Sequence, residues 1–147
     1  VQLKIYQFRD LYKRYARTAL YAHPFMTPQQ EWVHVSEHHY EDGLVILSME
    51  QLKMSFFAPE LYFNPALYEW ACILVESKDI KFIGCEDFIV DLANDICPQG
   101  LDGIKSWLGQ TEINSSALVI YTIINKPERI IDLRPEWINQ FKNIYSS

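Results

Sequence analysis

Eight consecutive residues, Ala117 to Ile124 (ALVIYTII), form the most apolar run in the chain, and any fold has to find a dry place for them. The run is opened by Asn114-Ser115-Ser116, closed by Asn125-Lys126-Pro127, and rich in β-branched and aromatic side chains. That pattern predicts a buried strand. A strand with one wet face would alternate apolar and polar residues, and this one does not, so it is expected at the centre of a sheet with both faces covered. The expectation that follows is an α+β fold. A single globular domain over residues 1–147 would hold a small mixed sheet, with the 117–124 strand central and four to six helices packed around it.

The remaining segments are read against that centre. Ile5, Phe8, Tyr12, Tyr15, Ala16 and Ala19 recur at helical spacing and predict an amphipathic helix of about four turns ending before His23-Pro24. Thr27-Pro28 is a good helix start, which favours a helix from Pro28 to about Glu41; Asp42-Gly43 is a competing hairpin signal. Leu44 to Leu47 reads as a strand, Met49 to Phe57 as a helix capped by Ser48, and Glu60 to Asn64 as an extended aromatic connection. Ala66 to Glu76 is apolar nearly all round and predicts a deeply buried helix. Further strands are expected at Ile80–Ile83 and Arg129–Leu133, and further helices at Glu86–Asn94, Leu101–Leu108 and from Pro135 onward.

Net charge is −6, which argues against general affinity for nucleic acid. Its distribution is uneven: residues 1–17 hold Lys4, Arg9, Lys13, Arg14 and Arg17 against Asp10 alone, whereas residues 18–77 hold eight acids against Lys53 alone. The basic first segment is therefore expected to face solvent, an acidic partner, or the acidic segment of the same molecule. Cys72, Cys85 and Cys97 form neither a CxxC pair nor a complete disulfide set, which suits a reduced, cytoplasmic setting. No run reaches membrane-spanning length, and the chain opens on Val1, as a trimmed product would.

Three of the four histidines lie in His34-Val35-Ser36-Glu37-His38-His39. On a helix, His34 and His38 would share one face and could hold a metal ion, with Glu37 beside them as a base for bound water. HVSEH matches HxxEH and so resembles the zinc motif of the inverzincin metallopeptidases. That resemblance implies His34 and His38 as zinc ligands, Glu37 as the base and Glu112 as a third ligand. Cys85 precedes a predicted helix, but Glu86 and Asp87 oppose a thiolate there, and GxSxG and phosphate-loop patterns are missing.

The other candidate is an acidic segment with interleaved aromatics: Glu31, Trp32, Glu37, Tyr40, Glu41 and Asp42, then Glu60, Tyr62, Phe63, Tyr68 and Glu69. Charge complementarity speeds encounter with a basic protein while buried rings supply affinity. In size, charge and aromatic content the chain resembles the small acidic immunity proteins that neutralise bacterial nuclease toxins by blocking a phosphate-binding site. The resemblance implies a binding protein that occludes a basic partner.

Overall fold

The computed structural model describes residues 9–146. In chain order the elements are α1 (Arg9–Arg14), β1 (Arg17–Tyr21), β2 (Ser36–His39), β3 (Leu44–Ser48), α2 (Met49–Phe57), α3 (Pro65–Lys78), a 3-10 turn (Cys85–Phe88), α4 (Ile89–Ile96), α5 (Gly100–Leu108), α6 (Ser115–Asn125), α7 (Pro127–Leu133) and α8 (Pro135–Ser146). The fold is α+β with a small mixed sheet, in the order β1-β3-β2.

The sheet is not built where the apolar run predicts. Residues 117–124 lie inside α6, a helix buried at every position from Ser116 to Ile123. A helix covered on all sides carries no 3.6-residue periodicity, so its sequence is indistinguishable from that of a doubly covered strand. The β-branched residues cost at most about 0.7 kcal/mol each in a helix, whereas burying each large apolar side chain contributes roughly 2 kcal/mol. Burial against α3, α4 and α7 wins. Asn114 caps the start of α6, its side-chain oxygen accepting from the Ala117 N–H at 3.0 Å.

With α6 helical, the other two strands predicted beside it have no sheet to join. Residues 129–133 form α7, which Pro127 opens at its first position. Residues 80–83 run without a strand partner; Ile80 and Phe82 are buried, whereas Ile83 is 88% exposed.

The central strand is β3 instead. It pairs parallel with β1 and antiparallel with β2. Helix is therefore also displaced at 28–41, where the Asp42-Gly43 hairpin signal prevails: β2 and β3 are joined through Tyr40–Gly43, with Gly43 at φ +58°. Thr27 does not cap a helix; its backbone exchanges two hydrogen bonds with Gln30 across a tight turn. Of the predicted first helix, Ile5 and Phe8 lie outside the described residues, Tyr15 is buried just after α1, and Ala19 belongs to β1. The helices α2, α3, α5 and α8 fall close to their predicted places.

α3 and α6 form the core pair and exchange contacts at their starts. The Asn64 N–H, at the α3 cap, donates to Tyr121 Oη (2.9 Å), and the Asn114 N–H, at the α6 cap, donates to Tyr68 Oη (2.8 Å). Phe63 stacks on Tyr121, with ring centroids 4.1 Å apart. On the sheet side, Val45 and Leu47 of β3 pack with Tyr15 and Ile73.

Candidate functional site

The segment between β1 and β2 does not wander. Phe25 and His34 exchange two backbone hydrogen bonds of 2.9 Å, closing the loop Met26–Val33 at its base. Beneath it lies a buried polar cluster. The His34 ring, fully buried, meets the Trp32 carbonyl through Nδ1 (2.7 Å) and Glu37 Oε2 through Nε2 (2.9 Å). Because a carbonyl can only accept, Nδ1 is the donor in the Trp32 contact. Thr27 Oγ1 donates to both Glu37 oxygens, at 2.7 and 3.0 Å. His39 Nε2 lies 2.8 Å from Glu37 Oε1 but off the line of a hydrogen bond, and it is the buried side-chain nitrogen left without one among the described residues. Both ends of the loop are thus tied to Glu37, the first through Thr27 and the second through His34.

α5 braces the same loop from the other side. Val35 N–H donates to the Leu108 carbonyl (3.2 Å), and Gln110 reaches Gln30 (3.3 Å). Gly109 permits this approach: it adopts φ +68°, and a Cβ there would lie 2.2 Å from the Val33 carbonyl oxygen. The bracing leaves Trp32 on the loop with 47% of its surface exposed and Met26 and Val33 exposed near it. Below Val33 opens a cleft of about 390 Å³, whose walls include Leu61, Tyr62, Trp107, Gln51 and Ser106. Tyr62 packs on Trp107 at 4.9 Å, and Trp107 Nε1 is held by the Phe63 carbonyl (2.9 Å).

A second polar cluster joins β2 to α3. His38 Nδ1 lies 2.5 Å from Glu69 Oε1 and His38 Nε2 lies 2.7 Å from Glu76 Oε2. Burial alone would pull this imidazole down, but hydrogen bonds to the two carboxylates, reinforced by their charges, push it up to about 9. Both nitrogens donate, and the ring is an imidazolium at neutral pH. Tyr15 meets its edge, and Tyr15 in turn packs on Tyr40.

The two groups of predicted site residues are divided by this geometry. Glu31 and Trp32 are exposed on the loop; Tyr40, Glu41 and Asp42 are exposed on the β2–β3 turn; Glu37, at 4% exposure, lies inside. The basic first segment meets the acidic turn of the same molecule: the Arg14 guanidinium sits 4.1 Å above the Tyr40 ring, and Arg17 donates to the Asp42 carbonyl. His34 and His38 share no partner, since one is bound to Glu37 and the other to Glu69 and Glu76, and Glu112 is exposed in the bend before α6. Among the described residues no group of three or more His, Cys, Asp or Glu side chains is arranged to hold a metal ion. Cys85 is buried near Ser115 and Ser116.

Sequence reasoning missed Trp107 and Val33 as cleft residues. Tyr62 stood in the extended aromatic stretch 60–64, a signal that pointed to it, but nothing local ties that stretch to α5. No family model, curated protein or solved structure matches the chain.

Proposed function

We propose that this chain is a protein-binding module that docks on a basic partner through the Met26–Val33 loop and the adjoining cleft. The observation that carries the reading is Trp32. A large aromatic is kept half in water on a loop whose two ends are tied down by a buried Thr27–Glu37–His34 network. A preorganised aromatic anchor beside a concave apolar wall loses little freedom on binding. Glu31, adjacent in sequence to Trp32, and Glu60, adjacent in sequence to the cleft residue Leu61, are both exposed carboxylates, which favours a cationic surface. A toxin of the nuclease class, with its basic phosphate-binding groove, is a partner that fits this chemistry.

Native mass spectrometry of the untagged protein, isolated from its own source at low salt, tests the reading. A complex with a basic protein is expected. Trp32→Ala should then weaken it at least about tenfold, and Glu31→Lys should flatten its salt dependence. Reversing Glu41 and Asp42, whose turn lies against Arg14 and Arg17, should have a smaller effect. An acidic partner, or full affinity in Trp32→Ala, overturns the proposal.

A further inference from the structure

β1 is an edge strand with little of its surface covered. In a parallel ladder alternate residues serve one neighbour. Arg17 N–H donates to the Gly43 carbonyl (3.2 Å) and Arg17 is in register with Leu44, so Arg17, Ala19 and Tyr21 bond to β3. The N–H and C=O groups of Thr18 and Leu20 therefore point outward, and among the described residues no strand lies on that side. Leu20 is 51% and Tyr21 50% exposed. Such an edge is a template for another strand.

We infer that β1 pairs antiparallel with β1 of a second copy of the chain, about a twofold axis through Ala19. That register sets Thr18 of one copy opposite Leu20 of the other, twice. These are the two residues whose backbone groups point outward, so each pair can exchange both N–H···O bonds. A slip of one residue would oppose outward-facing groups to groups already bonded to β3. The small Ala19 meets its own copy on the axis, and Arg17 faces Tyr21. Charge selects the antiparallel sense. Arg14 and Arg17 stand at the start of β1, while Glu50 stands at its end, its N–H donating to the Ala22 carbonyl. Antiparallel pairing brings these unlike ends together, and parallel pairing would bring like ends together. Five-residue strands bury less than the roughly 800 Å² per partner of a stable complex, so the association is concentration-dependent.

Ala19→Cys tests the register. Ala19 and its copy would form a non-hydrogen-bonded pair, with Cα atoms about 4.5 Å apart and side chains close, within the Cα range a disulfide spans, and the three native cysteines are buried. Mild oxidation should give a covalent dimer of Ala19→Cys and leave the exposed Ala16→Cys monomeric. Leu20→Pro removes an outward N–H without touching the bonds to β3, and should raise the midpoint of dimerisation in sedimentation experiments by about tenfold or more with the circular dichroism spectrum unchanged. A monomer at every concentration, with Ala19→Cys crosslinking no faster than Ala16→Cys, overturns the inference. That is also the result expected if residues 1–8 or another protein cover this edge. A dimer that Leu20→Pro leaves intact overturns it as well.

Discussion

At the scale of single residues, His34 and His38 each bond to carboxylates, one to Glu37 and the other to Glu69 and Glu76. His38 is clamped between Glu69 and Glu76, so losing it removes two charge-assisted hydrogen bonds and strands a nearly buried carboxylate at Glu69. His38→Gln should cost about 2 kcal/mol at pH 6. The sign of the pH dependence follows from the raised value. A histidine held at about 9 when folded and 6.5 when unfolded stabilises the fold fully below pH 6.5, and its contribution disappears as pH rises towards 9. Urea midpoints measured from pH 6 to 9.5 should fall more steeply for the wild type than for His38→Gln; equal slopes would exclude the clamp. The HxxEH spacing drew attention to the right histidines but could not reveal this role. Glu69 and Glu76 lie 31 and 38 residues away in sequence, and no local pattern names such partners.

At the scale of elements, the caps of α3 and α6 are coupled. Each capping asparagine donates its backbone N–H to a tyrosine hydroxyl on the other helix, so each helix start helps to fix the other. Burial pushes the Tyr121 hydroxyl up to about 12 and Tyr68 also upward, which keeps both neutral and in place as acceptors. Tyr121→Phe leaves the Asn64 N–H without its acceptor and should cost about 1–3 kcal/mol. Asn114→Ala removes the side-chain cap of α6 and should cost about 1 kcal/mol. Chemical denaturation of the two variants and their double mutant measures the coupling, and strict additivity would show that the two helix starts are independent. The Asn114 cap was visible in sequence as a turn signal. Whether it opened a strand or a helix was not, because Asn-Ser-Ser begins either.

At the scale of the whole molecule, the three cysteines are buried and unpaired, and burial and the nearby Glu69 push the Cys72 thiol well above its ordinary value. A thiol reagent should therefore leave the native protein unmodified and react with all three cysteines once it is unfolded. Fast labelling of one cysteine under native conditions would show that its layer opens separately. Hydrogen exchange should be slowest in α6, which is buried throughout, and faster in β1, whose residues are mostly exposed.

The local sequence determined what local chemistry can determine. Proline, glycine and asparagine punctuation marked α3, α5 and α8, and Ser48 marked the start of α2, whereas Asp42-Gly43 and Thr27-Pro28 gave competing signals that favoured a helix over 28–41 where the structure has the hairpin. The local sequence also determined that the run from Ala117 must be dry, which holds through Ile123, while Ile124 at its end is exposed. Only the tertiary structure decided that this dryness is a helix among helices, because a segment covered on every side shows no period by which strand and helix differ. The same holds for the site. Trp32 and Glu31 were legible as an aromatic beside an acid, but the cleft lined by the next residue, Val33, needs Trp107 from α5 and Tyr62 from the stretch before α3, and packing alone brings those together.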